Sequence, residues 1–122
     1  LRDEFMAKSI LKDKSFLFAL ETVKLYKLIV SDKKEFVMSR QLLKSGTSVG
    51  ANIRESQNAQ SRADFIHKLS IAQKECDETL YWLELLYESE YIDDSQFNLN
   101  HSLAEELLKM LRSAIITTKN NS

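Results

Sequence analysis

The stretch "QLLKSGTSVGANIRES", residues 41–56, is typical of a helix at both ends and holds small residues in its middle. Both glycines of the chain, Gly46 and Gly50, lie here, four positions apart. A Walker-type phosphate loop needs a different glycine–lysine spacing after a strand, so the pattern disfavours phosphate binding. Small residues on successive helical turns instead let a second helix approach closely. Because each glycine costs about 1 kcal/mol of helix propensity, close packing must offset about 2 kcal/mol. A local kink is the alternative interpretation.

The composition of the 122-residue chain predicts an all-α fold. The chain has no proline, 2 glycines and 43% hydrophobic residues, whereas the turns of an all-β fold need more glycine and proline. No apolar run approaches the length of a membrane span and no signal peptide is visible, so we expect no membrane partner. A single cysteine, Cys76, excludes an internal disulfide and favours a reducing compartment, the cytoplasm.

Apolar periodicity predicts four helices, over about residues 15–30, 35–58, 61–89 and 95–117. Residues 1–12 are mixed and predict a tail or a partial first turn. Ser61 followed by Asp64 is typical of a helix start. Four long helices with short connections predict one domain over residues 1–122, an antiparallel up-and-down four-helix bundle. For the fourth helix the predicted buried face is Leu99, Leu103, Leu107, Leu111, Ala114 and Ile115.

The first and third helices have more apolar residues than one bundle core needs. The first is apolar almost all the way round, and the third has a second apolar group away from its main seam. One interpretation is deep burial or a scattered apolar surface. We favour the other, a subunit interface. The candidate interface residues are Phe18, Leu25, Ile71, Trp82 and Leu85.

The chain also resembles a known family. "SGTSVGANIRES" (45–56) and "SRADFIHKLSIAQKECDETLYWLELL" (61–86) are similar to the four-helix-bundle family of the 23S ribosomal RNA intervening-sequence proteins. The pattern Ser-x-x-x-Asn-Ile-x-Glu is matched by Ser48, Asn52, Ile53 and Glu55. The next helix matches at Phe65, Ile71, Ala72, Glu78, Thr79, Trp82 and Leu83. The likeness covers about residues 15–116.

The resemblance implies a small bundle that assembles into a homopentameric ring. For most of this family the biochemical role is unassigned. The chain is also similar in fold to the accessory protein of diversity-generating retroelements, which binds reverse transcriptase and nucleic acid. That relative is strongly basic, whereas this chain has a net charge of −1.

Seven residues of the opening stretch form a candidate helix-packing motif. Asn is unfavourable inside a helix, so Asn52 is expected to make a specific hydrogen bond. We favour a bond to another helix or to a backbone group near Gly50 over a contact with a ligand. The motif residues are Ser45, Gly46, Ser48, Gly50, Asn52, Ile53 and Glu55.

Few residues are candidates for catalysis or metal binding. His67 has no second ligand at a chelating spacing. His101 and Glu105 are spaced i, i+4, which suits a metal shared with a neighbouring chain, but we favour a surface pair. Cys76 lies in the apolar seam, where a thiol acts as a small hydrophobe rather than a nucleophile. We therefore expect no catalytic residue, no metal and no cofactor.

Charge is distributed unevenly along the chain. Residues 1–61 hold eleven Lys and Arg against seven Asp and Glu, a net of +4, and residues 62–122 hold six against eleven, a net of −5. The candidate anion or nucleic-acid face comprises Arg40, Lys44, Arg54, Lys24 and Lys27. The alternative is a solvated face that complements acidic residues of a neighbouring subunit. We expect a non-enzymatic, self-associating scaffold or adaptor, with a nucleic-acid-binding accessory factor as the main alternative.

Overall fold

The computed structural model describes residues 2–121, with side chains from residue 6 to residue 121. Within that range the chain forms four long helices: α1 (Arg2–Leu28), α2 (Met38–Ser56), α3 (Arg62–Glu88) and α4 (Asp94–Asn120). A π-helical turn, Ile29–Lys33, continues α1. The described residues contain no strand. The protein is therefore all-α, as the composition predicts.

Neighbouring helices run in opposite directions. Along the contact between α1 and α2, Ser15 lies beside Gly50 and Thr22 lies beside Gly46, so the numbers rise along one helix as they fall along the other. The hydrogen bonds between α3 and α4 follow the same order. Each helix contacts the next, and α1 closes the bundle against α4. The predicted antiparallel up-and-down four-helix bundle is confirmed.

A continuous hydrophobic core fills the space between the helices. In α2 the helical spacing predicts a buried stripe of Met38, Leu42, Val49 and Ile53. The last three are almost inaccessible to solvent, and Met38 is partly buried. In α4 the prediction was partly wrong, because Leu99 is 51% exposed while Ala104 is fully buried. The buried positions of α4 recur every three or four residues, and Leu99 lies outside that row. They are Asn100, Ala104, Leu107, Leu108, Leu111 and Ile115.

The α1 helix is longer at its amino-terminal end than predicted. Residues 2–12 are helical, so the predicted tail was wrong. The physical reason is that Leu11 is only 3% exposed and packs into the core. Gln57 Nε2 also donates a 3.4 Å hydrogen bond to the carbonyl of Lys8, which joins this segment to the end of α2.

The start of α2 is determined by the side chain of Glu35. Its carboxylate accepts hydrogen bonds from the N–H groups of Val37 (2.9 Å), Met38 (2.9 Å) and Ser39 (2.8 Å). These donors have no carbonyl partner inside the helix, so an acceptor is needed there. Lys34 has a φ of 54°, in the left-handed region, and ends the π-helical turn. The helix therefore begins at Met38, three residues after the predicted start.

The other two helices begin close to their predicted starts. Ser61 caps α3 by accepting a 3.0 Å hydrogen bond from the N–H of Asp64, as its sequence pattern predicts. Asp93 caps α4, which begins at Asp94, one residue before the predicted start, and forms a reciprocal capping box with Gln96.

The two glycines lie where α1 and α2 are closest. A Cβ atom on Gly46 would lie 2.6 Å from Thr22 Cγ2 and 2.7 Å from Thr22 Oγ1. A Cβ atom on Gly50 would lie 3.2 Å from the carbonyl oxygen of Ser15. Neither glycine has a positive φ, and α2 is continuous through both positions. Both glycines therefore serve the approach of α1 to α2 rather than a turn.

We predict that Gly46→Ala destabilises the protein through Thr22. Both the methyl group and the hydroxyl group of Thr22 face Gly46, so a change of the Thr22 rotamer can move only one of them away from a new Cβ atom. Overpacking costs about 1–3 kcal/mol and the gain in helix propensity is about 1 kcal/mol, so we expect a net loss of up to about 2 kcal/mol. Urea unfolding of the single variants and of the Gly46→Ala/Thr22→Ala double variant measures the coupling. In the Thr22→Ala background Gly46→Ala should cost less, because only the 3.1 Å approach to the Cβ atom of residue 22 remains; equal losses in both backgrounds would contradict the close contact.

We predict that Glu35→Gln destabilises the protein in a pH-dependent way. Partial burial acts to raise the pKa of Glu35, but hydrogen bonds from Met38, Ser39 and Val37 outweigh it and hold that pKa below its usual value. The carboxylate therefore contributes its full stabilisation above the usual glutamate pKa and loses it as pH falls through the lowered pKa. Urea unfolding at pH 7 should show a loss of about 1–2 kcal/mol. The difference from wild type should shrink under acid conditions, and a constant difference would exclude this cap.

Candidate functional site

The candidate motif of α2 forms most of its polar contacts within the helix itself. Ser48 Oγ donates to the carbonyl of Lys44 (2.6 Å), and Asn52 Nδ2 donates to the carbonyl of Ser48 (2.9 Å). Glu55 differs, because its carboxylate lies 3.6 Å from Lys68 Nζ on α3. Asn52 therefore bonds a backbone group on the turn that precedes Gly50, which is one of the structural options that the sequence leaves open.

The basic residues of α2 lie on its solvent-facing side. Arg40, Lys44 and Arg54 are exposed, and none of them has a salt bridge within the described residues. The guanidinium carbon of Arg54 lies 5.9 Å from the ring centroid of Phe16 on α1. Phe16 is 52% exposed, so an aromatic ring stands beside this basic face. The sequence did not indicate this pair, because its two members are far apart along the chain.

A shallow groove between α1 and α2 adjoins this pair. Its volume is about 470 Å³. Phe16 and Arg54 border it, and Gly50 is among its lining residues. The lining residues are Lys12, Ser15, Phe16, Ala19, Thr47, Gly50, Ala51, Arg54 and Glu55.

The two lysines predicted to extend the basic face differ in their surroundings. Lys24 Nζ lies 3.3 Å from Glu21, which offsets its charge. Lys27 is exposed and has no salt bridge within residues 6–121. The pairing of Thr22 with Gly46 places Lys27 at about the level of Arg40. Lys27 therefore extends the basic face more effectively than Lys24.

An apolar strip faces solvent along α1. Met6 (52% exposed), Ile10 (43%), Leu17 (57%) and Leu28 (45%) form this outer strip. At 3.6 residues per turn these four positions lie within about 40° of one another around the helix. The ion-paired Glu21 and Lys24 lie on the same side of the helix, between Leu17 and Leu28. Single exposed apolar residues are ordinary, but an aligned row along a helix is typical of an interaction surface.

Two of the five predicted interface residues belong to the core instead. Phe18 is 0% exposed and Leu25 is 3% exposed, so they do not contact a partner. The physical reason is that Ser15 and Thr22, both buried, share their side of α1 and complete its inner row. The exposed apolar residues of α1 are therefore those of the outer strip and not Phe18 or Leu25.

The predicted interface residues of α3 lie nearer the surface. Ile71 and Trp82 are partly buried, and Leu85 is 36% exposed. Trp82 Nε1 donates a 3.2 Å hydrogen bond to Glu78, and the Tyr81 ring packs edge-on against it. These positions remain candidates for a contact surface, separate from α1.

The two histidines differ in exposure, and His101 is partly buried. His67 is exposed. His101 Nε2 lies 3.3 Å from Glu84 on α3 and Nδ1 lies 3.2 Å from Glu105, so it joins two helices. Among the described residues, no group of three or more His, Cys, Asp or Glu side chains is arranged to hold a metal ion. The surface pair of His101 and Glu105 is present, and Glu84 is an additional member that the sequence pattern missed.

Cys76 is a buried thiol whose pKa is raised. It is 0% exposed, and its Sγ donates a 3.2 Å hydrogen bond to the carbonyl of Ala104. Burial raises the pKa of Cys76 to about 12; the charge of Asp77 adds to this rise and Arg112 opposes it. Because the thiolate is the nucleophilic form, this group is unreactive near neutral pH.

Comparison with known proteins decides the family. A family model described as 23S rRNA-intervening sequence protein matches residues 7–113. The chain belongs to this family. The match includes all of α2 and α3, most of α1 and α4, and both glycines, so the close contact of α1 with α2 lies within the family region. No curated protein matches the chain.

A solved structure of a related protein has the same fold as this family member. It is the crystal structure of a protein of unknown function from the S23 ribosomal protein family of Bacteroides thetaiotaomicron VPI-5482. The two sequences are 55% identical, and the TM-score is 0.88. The match covers 89% of this chain and 97% of that chain. None of the helices described here has the length and apolarity to span a bilayer.

Proposed function

We propose that this family member is a non-enzymatic scaffold or adaptor that self-associates through the outer strip of α1. The strip carries the proposal, because it extends from Met6 to Leu28, about 33 Å along the helix. Its residues are 43–57% exposed although the core offers α1 an inner row of its own. Burial of such a strip against a second copy would remove apolar surface from water, which is the main favourable term in association.

The α4 helix widens this apolar surface. Glu106 of α4 forms a salt bridge with Lys14 of α1, so that side of α4 faces α1. Leu99 lies seven residues, or two turns, before Glu106 and therefore on the same face. It is 51% exposed. A partner that covers the outer strip would thus also reach Leu99.

The resemblance to ring-forming bundles supports a closed homo-oligomer, and it implies five copies. A ring would place each strip in a repeated contact between neighbours. The chemistry of the described residues supports a binding role rather than catalysis, since the Cys76 thiol is protonated and His67 is exposed. The single cysteine supports a cytoplasmic location, because disulfides are rare there.

We predict that Leu17→Glu combined with Leu28→Glu dissociates the oligomer. Two carboxylates in a buried apolar contact would lose hydration without a partner charge, whereas in a free monomer they face water. Light scattering on a sizing column at tens of micromolar should show an oligomer near five times 14.1 kDa for the wild type. The double variant should elute as a monomer with unchanged helix content.

The matched control is Ile116→Glu. Ile116 of α4 is 58% exposed and lies outside the outer strip, so this variant should keep the wild-type mass. A wild-type protein that stays monomeric would refute self-association. If the double variant still formed the oligomer, the interface would not include the outer strip of α1.

A second candidate function is nucleic-acid binding by the face of α2. The observation that favours it is the Phe16 ring beside the Arg54 guanidinium, with Arg40 and Lys44 on the same helix. Aromatic rings stack on unpaired bases, and arginine and lysine contact phosphates. Repetition of the face in a ring would raise affinity by avidity.

We predict that the triple variant Arg40→Glu/Lys44→Glu/Arg54→Glu abolishes binding to a single-stranded RNA if this second function is correct. The wild-type affinity should fall steeply with salt, because neutralised phosphates release counterions. Phe16→Ala should weaken binding by about 1–3 kcal/mol without changing the salt slope, because it removes stacking alone. Fluorescence anisotropy with a labelled RNA measures both effects. Binding that does not depend on salt, or that survives the triple variant, would exclude this face.

A further inference from the structure

A larger groove lies at the end of the bundle where α1 begins and α4 ends. Its volume is about 690 Å³, within the range of about 300–1,000 Å³ that is typical of small-molecule sites. Among the contacts between neighbouring helices of the bundle, the one between α1 and α4 is the smallest. The groove also borders the connection between α2 and α3.

The inner part of this end groove is apolar. Leu11, which is 3% exposed, lies at its base together with Phe65, Met110 and Ala114. Along α4 the lining extends from Met110 to Asn121, which corresponds to about 16 Å of helix. These dimensions suit a medium-length alkyl chain.

The charged lining residues are all cationic. They are Lys8 and Arg62, and no acidic residue is among the described residues that line the groove. Acidic residues are slightly more numerous than basic ones in the whole chain, 18 against 17. The overall composition therefore does not explain why the charged residues of the groove are cationic. The groove therefore has the charge that complements an anion.

Both cations are held in place without a carboxylate partner among the described residues. Lys8 Nζ lies 4.9 Å from the ring centroid of Phe65. Arg62 Nη1 donates a 2.7 Å hydrogen bond to the carbonyl of Asn121, which leaves other N–H groups of the guanidinium for a ligand. An incoming carboxylate would thus meet two charges that no carboxylate within residues 6–121 neutralises.

We infer that the end groove binds a small amphipathic anion of the class of medium-chain carboxylates. The alkyl chain packs against Leu11, Phe65 and Ala114, and the carboxylate lies between Lys8 and Arg62. This site is separate from the basic face of α2 and does not depend on the proposed scaffold function, although Ile10 belongs to both the groove and the outer strip.

The test is titration calorimetry of the full chain with sodium laurate, below its micelle-forming concentration. Dodecyltrimethylammonium, which has an alkyl chain of similar length and the opposite charge, serves as the matched ligand. We expect one laurate per chain and at least about tenfold weaker binding of the ammonium compound, since charge-assisted hydrogen bonds form only with the anion. Equal binding of both compounds would overturn the anion site.

Three variants locate the binding. Lys8→Gln combined with Arg62→Gln should weaken laurate at least about tenfold and leave the ammonium compound unchanged. Lys24→Gln, an exposed lysine outside the groove, should change neither. Ala114→Phe should block both ligands by filling the base of the groove, and its thermal unfolding must match that of the wild type for this result to count.

The remaining outcomes also decide the proposal. The outer-strip variant Leu17→Glu/Leu28→Glu should bind laurate as the wild type does; loss of binding there would place the ligand on the strip and overturn the end groove. Laurate binding that is unaffected by the Lys8/Arg62 double variant would overturn it as well. If a short acidic amphipathic peptide bound to the groove and laurate did not, the site would belong to a peptide instead.

Discussion

The absence of a Cβ atom at Gly46 and Gly50 sets the distance between α1 and α2, and the arrangement of the other surfaces follows from that distance. Thr22 and the backbone at Ser15 occupy the space that two side chains would need. With those positions of α1 turned toward α2, Phe18 enters the core. The opposite side of α1, including Leu17, then has no helix of the same chain to cover it.

Such a close contact requires that its polar groups be paired locally, because water has no access to them. The hydroxyl groups of Ser15, Thr22 and Ser45 each donate to a carbonyl of their own helix. This pairing lets small hydroxyl residues act as apolar ones at a helix contact. Among the described side chains the one buried polar atom without a hydrogen-bond partner is Asn100 Oδ1 on α4. The contact of α1 with α2 is therefore close, and these three hydroxyl groups are hydrogen-bonded within it.

The candidate functional surfaces differ in how far the sequence indicated them. Arg40, Lys44 and Arg54 were predicted as one face, because a regular helix places them by spacing alone. The ring of Phe16 beside Arg54 was not predicted, since it depends on the register of α1 against α2. The end groove depends on four helix ends at once, and no local pattern relates Lys8 to Arg62. Within residues 6–121 neither cation has a carboxylate partner, and this depends on the fold rather than on either segment alone.

The sequence by itself determined the all-α class, the number of long helices and the inner faces of α2 and α3, because those helices alternate polar and apolar residues with a helical period. It also singled out Gly46 and Gly50 as the site of a close helix contact. Only the tertiary structure decided which face of α1 is inside. That helix has apolar residues on all sides and buries Ser15 and Thr22. Its sequence periodicity therefore does not distinguish an inner face from an outer face. The contact with Gly46 and Gly50 determines how α1 is rotated about its axis, because the side of α1 that carries Ser15 and Thr22 is small enough to lie against α2.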